Sequence, residues 1–261
     1  MGRDFSKVKR IVVKVGTSSL TDRYSRLDYQ KVRKIVREVM DLRKKGKEVL
    51  LVTSGAIGAG VGRLGMRKRP KELPMLQAAA AVGQGILMRV YEKYFGKYGQ
   101  PIAQLLLTKE DFFDKERSKN LRNTLRVLRQ WGVVPVVNEN DSVAVEEIKF
   151  GDNDLLSAHL AILSEADLLV LLSDVNGLYT GDPKHDRGAR LLHEVREFTP
   201  QLERLAKGKG FGGMKTKLQA AKMACSAGIP VVVARAGERK ILERLLSGEK
   251  VGTLFLPGGK K

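Results

Sequence analysis

Residues 10–15 read RIVVKV, and the small polar residues of KVGTS (14–18) close the run. A strand with one wet face alternates apolar and polar residues. A run that stays apolar is buried on both faces, as in a parallel sheet covered by helices. The same kind of run recurs as EVLLVTS (48–54), PIAQLLL (101–107), VVPVV (133–137), DLLVLLS (167–173) and IPVVVA (229–234). Helical periodicity fills the intervals near 28–45, 74–95, 115–131, 154–164 and 214–227. Strands alternating with helices predict a three-layer, doubly wound α/β fold with a mainly parallel central sheet. In such sheets ligands collect outside the carboxyl ends of the strands, so function is sought in the loops after these runs.

Those loops hold nearly all the polar residues of interest. The first is Lys14-Val15-Gly16-Thr17-Ser18, and the second is Thr53-Ser54-Gly55-Ala56-Ile57-Gly58. Both offer small side chains and close approach to backbone amides. After VVPVV comes Asn138-Glu139-Asn140-Asp141, then a hydrophilic arm, then Gly151-Asp152-Asn153-Asp154 leading into a helix. After DLLVLL comes Ser173-Asp174, followed by Val175-Asn176-Gly177. Each polar group has a plain structural use. Asn153 and Asp154 suit a helix N-cap, Asn138–Asp141 suits a turn, and Asp174 with Asn176-Gly177 suits a tight turn. Lys14 is different: an ammonium at the end of an Ile/Val strand would be buried unpaired unless an anion stands there.

The last loop, GKGFGGMKTK (208–217), sets Lys209, Lys215 and Lys217 among glycines where a helix begins. Met214, Leu218, Ala221 and Cys225 form that helix's apolar stripe. Cations at the positive end of a helix dipole are disfavoured by about 0.3–1 kcal/mol each unless an anion offsets them. Glycine amides, unpaired first-turn N–H groups and lysines together suit a phosphate. Gly208, Gly210 and Gly213 match G-x-G-x-x-G literally, but a dinucleotide fingerprint follows a strand, and TPQLERLAK reads as helix or loop. The same spacing at Gly60, Gly62 and Gly65 also lacks a preceding strand. A P-loop needs Gly-Lys-Ser/Thr where this chain has Gly213-Met214-Lys215-Thr216. The phosphate reading therefore rests on charge and helix position. Its alternative is a flexible surface loop.

Composition narrows the classes. The 261 residues carry a net charge of +19, a single cysteine and three histidines without metal-ligand spacing, so neither a disulfide framework nor a metal centre is expected. The IVV run after the basic N-terminus is too short for a signal peptide or membrane span. Met1, Gly2 and Ser6 match a myristoylation pattern that is common by chance, and no membrane partner is expected. The positive charge predicts attraction to polyanions. It lies mostly on helix faces such as KVRKIVREVMDLRKKGK, with no aromatic-interleaved basic stripe, so nucleic acid is not expected as the primary partner. Abundant Lys, Arg and Glu with few Asn and Gln point to a heat-tolerant protein.

KVGTS, VTSGAIGAG, AAVGQ, NENDSVAVEEIKFGDND, LSDVNGLYTGDP and GGMKTKLQAA, in that order across roughly residues 9–257, resemble the branch of the amino acid kinase family that phosphorylates glutamate. The resemblance implies an αβα sandwich in the cytoplasm. It also implies transfer of the γ-phosphate of ATP to the side-chain carboxylate of L-glutamate, the first step of proline biosynthesis. By matching position, Lys14 and Lys217 flank the transferred group and Asp154 organises them. Ser54, Asp141 and Asn153 hold glutamate, with Asp141 facing the substrate ammonium. Gly16 and Gly55 allow close backbone approach, and Ser173 and Asp174 meet the nucleotide. Gly212, Gly213, Met214, Lys215, Thr216 and Lys217 cradle its phosphates.

Mg²⁺ is implied as the companion of ATP, without dedicated protein ligands. Homo-oligomers, as dimers or tetramers, and feedback inhibition by L-proline are also implied. The arm Ser142–Lys149 and the loop Arg67–Pro74 are where mobility is expected. Family members often continue into a C-terminal PUA domain. This chain stops at GTLFLPGGKK, so a single kinase domain over residues 1–261 without a PUA domain is the expectation. Phe211 stands where a small residue is common. Kinases of the same fold acting on acetylglutamate, aspartate, carbamate, UMP or isopentenyl phosphate are the nearest rivals, but Asp141 suits an unblocked amine. A polyanion-binding protein and a non-catalytic amino-acid sensor are more distant alternatives.

Overall fold

The computed structural model describes residues 3–144, 153–183, 185–205 and 213–258. At the centre, β1 (Arg10–Val15) pairs in parallel with β2 (Glu48–Thr53) and with β5 (Leu168–Ser173). Beyond β2 lie β4 (Val134–Glu139) and then the edge strand β3 (Ile102–Leu107), both parallel. Beyond β5 comes β7 (Val231–Arg235), also parallel. Next are β8 (Thr253–Phe255), antiparallel to β7, and β6 (Glu194–Val195), parallel to β8. The order β3-β4-β2-β1-β5-β7-β8-β6 is the mainly parallel α/β architecture expected from the apolar runs.

Helices cover both faces. On one side lie α1 (Tyr29–Lys44), α2 (Ala56–Arg63), α3 (Leu73–Gly96) and the short α9 (Ile241–Leu246). On the other lie α5 (Lys115–Gln130), α6 (Asn153–Leu163), α7 (Pro200–Leu205) and α8 (Met214–Ser226), with α4 (Glu110–Phe113) just before α5. Two cores result, because alternate strand residues point to opposite faces. Ile11, Val13 and Val15 join the core under α1–α3, whereas Val12 joins the core under α5, α6 and α8. Lys14 shares the parity of Val12. Its side chain therefore leaves the sheet on the side of α6 and α8. Local signals set the helix starts: Asp28 accepts from the backbone N–H groups of Gln30 and Lys31, and Asp114 from that of Arg117.

The structure corrects the sequence reading in several places. PIAQLLL is not buried on both faces: as the edge strand it has a neighbour on one side only, and Gln104 and Leu106 are exposed. Asn138 and Glu139 are not turn residues but the last two residues of β4. The stretch from Ala56 to Gly58 is not a loop; it opens α2, with Gly55 at φ +108° as its N-cap. A Cβ on Gly60 would stand 1.8 Å from the carbonyl oxygen of Ala79, and one on Gly83 would stand 1.8 Å from that of Ala56. These glycines let α2 and α3 touch backbone to backbone.

Candidate active site

Chain order reverses at β1: the strands reached before β5 lie on one side of it, and those from β5 onward on the other. A crevice opens at the carboxyl ends of strands at such a point. Lys14, near the end of β1, is 3 % exposed, and Asp154, in the first turn of α6, is 0 % exposed. The Lys14 ammonium lies 2.6 Å from Asp154 Oδ1. Lys217, in the first turn of α8, lies 3.1 Å from Asp154 Oδ2 and also donates to the carbonyl of Gly213. Thr216 Oγ1 donates to the same carboxylate oxygen at 3.3 Å and to Gly213 O at 2.8 Å. The anion that offsets the buried Lys14 is thus part of the chain. With two ammonium groups on one carboxylate, the cluster retains an excess positive charge away from water, which favours a further anion.

Glycines shape the surroundings. Gly213 caps α8 in the left-handed region at φ +72°, and a Cβ there would stand 3.1 Å from Lys217 Nζ. Gly16 is extended, and its N–H donates to Leu172 O at 3.2 Å. A Cβ on Gly16 would lie 3.6 Å from Lys14 Nζ, so its absence keeps the space beside that ammonium clear.

A chain of amides adjoins the charged cluster. Asn153 Nδ2 donates to Thr53 O at 2.9 Å, to Ser54 Oγ at 3.0 Å and to Asn138 Oδ1 at 2.9 Å. Asn138 Nδ2 in turn donates to Gln84 Oε1 on α3 at 2.9 Å. Behind the network, the hydroxyls of Thr53 and Tyr91 are 2.7 Å apart. Asn153 and Asp154 are consecutive, so the start of α6 joins the amide chain to the lysine pair.

The remaining expected residues are less tightly joined. Asp141 is half-buried, and burial pushes its carboxyl up to about 6 while the nearby Arg69 charge pulls it back. Burial correspondingly lowers the Arg69 guanidinium, against the pull of Asp141. Ser173, buried at the end of β5, donates to Asp174 Oδ1 at 3.1 Å. Met214 packs into the core, and Lys215 faces outward beside Glu203, Leu218 and Lys222. Gly212 lies outside the described residues, as do Lys209, Phe211, Asp152 and most of the Ser142–Lys149 arm.

Three residues at the site were not singled out from the sequence for a role. Arg69 sits in the basic run RKRPK (67–71), where no residue stands out. Gln84 appeared only inside AAVGQ, although a polar residue on a largely apolar helix is a readable signal. Asn138 lies in a stretch whose composition suits a turn, which gives it no separate signal.

Among the described residues, no group of three or more His, Cys, Asp or Glu side chains is placed to hold a metal ion, and no helix is long and apolar enough to cross a membrane.

The pattern that defines the amino acid kinase family matches residues 9–235. A glutamate 5-kinase from Carboxydothermus hydrogenoformans is 54 % identical over 97 % of this chain and 69 % of its own length. One from Caldanaerobacter subterraneus subsp. tengcongensis is 52 % identical over 95 % and 68 %. One from Clostridium acetobutylicum is 48 % identical over 98 % and 97 %. Among solved structures, a UMP kinase from Bacillus anthracis aligns with a TM-score of 0.66, covering 98 % of this chain and 97 % of its own. A carbamate kinase from Giardia lamblia bound to AMP-PNP aligns at 0.68, covering 96 % and 99 %. Both are 17 % identical in sequence and are similar in fold.

Proposed function

The chain belongs to the amino acid kinase family, and from that premise we propose that it transfers the γ-phosphoryl group of ATP to the side-chain carboxylate of L-glutamate, giving L-glutamyl 5-phosphate, the first step of proline biosynthesis. The observation that carries this reading is the buried Lys14–Asp154–Lys217 cluster. A carboxylate oxygen of glutamate attacks the γ-phosphorus of ATP. The new O–P bond forms as the bond to the β–γ bridging oxygen breaks, and ADP leaves with that electron pair. A carboxylate nucleophile is already ionised at neutral pH, so no general base is needed. The cluster suits this demand, because both oxygens of Asp154 are engaged by ammonium groups and neither is placed to accept a substrate proton. Lys14 and Lys217 offset the charge spreading over the transferred group, and Asp154 holds them at fixed positions.

Ser54 and Asn153 hold the substrate beside that cluster, and Asp141 faces its ammonium. The raised Asp141 carboxyl fits this role, since a buried carboxylate gains most from an arriving cation. Gly16 and Gly55 admit the substrates close to backbone, Ser173 and Asp174 meet the nucleotide, and the Gly213–Lys217 turn receives its phosphates. Mg²⁺ would come with ATP and would neutralise phosphate charge. A cytoplasmic homo-oligomer inhibited by L-proline belongs to the same reading, proline being shaped like a cyclised glutamate.

The test is ATP-dependent acyl phosphate formation, trapped with hydroxylamine, on glutamate, N-acetylglutamate and aspartate, with ADP release followed for UMP. Hydroxamate from glutamate alone is the expected result. Silence on glutamate with turnover of another acceptor would overturn the substrate assignment.

A further inference from the structure

The amide chain has a direction, and it ends on an unused donor. Thr53 O can only accept, so the side-chain atom of Asn153 that meets it is the nitrogen. Asn153 Nδ2 also meets Asn138 Oδ1, which leaves Asn138 Nδ2 to donate to Gln84 Oε1. The orientation of each amide thus follows from the one before it. At the far end, Gln84 Nε2 is buried and has no hydrogen-bond partner. A buried donor without an acceptor is costly and rare.

The position of this donor suggests its acceptor. Gln84 lies on α3, and Gln77, two turns earlier, donates to Ala144 O at 3.4 Å, so this face of α3 fronts the segment after β4 that carries Asp141. In the glutamate-kinase reading, on which this inference rests, the reacting carboxylate meets Lys14 and Lys217 while the ammonium meets Asp141. The α-carboxylate remains, and it requires a donor. Of the three amide nitrogens, Asn153 Nδ2 is filled by three acceptors and Asn138 Nδ2 donates to Gln84, so Gln84 Nε2 is the one that makes no hydrogen bond among the described residues. We infer that Gln84 is a specificity-determining residue whose Nε2 donates a hydrogen bond to the α-carboxylate of the amino-acid substrate.

Gln84→Glu tests this. The substituted side chain keeps the oxygen that accepts from Asn138 and places a second carboxylate oxygen where the amide nitrogen stood. The competing substrates are L-glutamate and its α-amide, in which the α-carboxylate becomes a carboxamide and the side-chain carboxylate is intact. The variant should raise the KM for glutamate about tenfold or more, with kcat and the KM for ATP within about threefold of wild type. Its preference for glutamate over the α-amide, as a ratio of kcat/KM values, should fall by about tenfold or more, because the amide can donate where the carboxylate is repelled. An unchanged preference ratio, with both substrates slowed equally, would assign Gln84 a packing role and overturn the inference. Should Gln84→Glu not fold, Gln84→Met removes the donor without adding charge. It should raise the KM for glutamate about fivefold or more at near-constant kcat, and an unchanged KM overturns the inference. Wild-type protein that leaves glutamate unphosphorylated would defeat the underlying substrate reading, whereas active wild type with an indifferent variant would defeat this inference alone.

Discussion

Asp154 holds two lysines in a place that admits almost no water, and its partners differ in how they can be removed. Lys217→Ala leaves the Lys14–Asp154 pair intact, so the fold keeps a satisfied carboxylate while the transferred group loses one of its two ammonium neighbours. Turnover should fall by more than about tenfold with the KM for glutamate nearly unchanged, and steady-state kinetics with both substrates varied will show it. Equal turnover would remove Lys217 from the chemistry. Asp141 adds a pH dependence. With its carboxyl at about 6, the free protein loses this charge as pH falls through 6, and the KM for glutamate should rise by up to about tenfold per pH unit below it. Asp141→Asn should show a high KM that is flat over the same range. The effect on stability has the opposite sign. The folded state binds this proton more tightly than the unfolded chain does, so the group's contribution to stability falls as pH rises from about 4 to about 6.

At the level of elements, the α2–α3 crossing is the most sharply constrained contact. Gly83→Ala places a methyl group into the Ala56 carbonyl, and the helices must separate. This should destabilise the protein by about 1–3 kcal/mol or more in denaturant unfolding, and activity should fall with it because Ser54 and Gly55 lead into α2. Gly85→Ala, two residues along the same helix with open space around it, should be neutral or stabilising by up to about 1 kcal/mol. If both variants unfold alike, the crossing is looser than described.

The same elements show what the sequence made legible. The central strands could be read because parallel strands covered on both faces stay apolar without interruption. GAIGAG could not be read as a helix, since its glycines are explained by α3, which lies beyond Gly65 in the chain. β6 and β8, of two and three residues, are too short to carry a period. For the site, Lys14, Asp154 and Lys217 stand out by type and position; the strand pattern alone makes Lys14 call for an external anion, and only the family resemblance sets Asp154 between the two lysines. The role argued for Gln84 was not visible in the sequence either, since an unused donor shows only after every neighbouring amide has a partner.

For the molecule as a whole, the net charge of +19 is large for 261 residues and lies mainly on outer helix faces. Its range is set by salt: the Debye length shrinks from about 30 Å at 0.01 M to about 8 Å at 0.15 M ionic strength. ATP carries several negative charges and should feel the whole surface, whereas glutamate, with a net charge of one, should feel mainly its own pocket. The KM for ATP should therefore rise severalfold across that salt range while the KM for glutamate moves by less than about twofold. Parallel changes in both would place the salt effect in the fold rather than in attraction. The charged cluster at the centre also has a history written into the order of the chain. Lys14 lies on β1, Asp154 on α6 and Lys217 on α8, so the ribosome makes them in that order. Because chains begin to organise from the N-terminus as they are made, a nascent protein long enough to contain α6 but not α8 holds Lys14 and Asp154 as a neutral pair. Excess positive charge arrives only with the last ammonium, so translation products that stop before α8 should be poor competitors for cellular nucleotide, and affinity for ATP waits on the last of the three residues to be made.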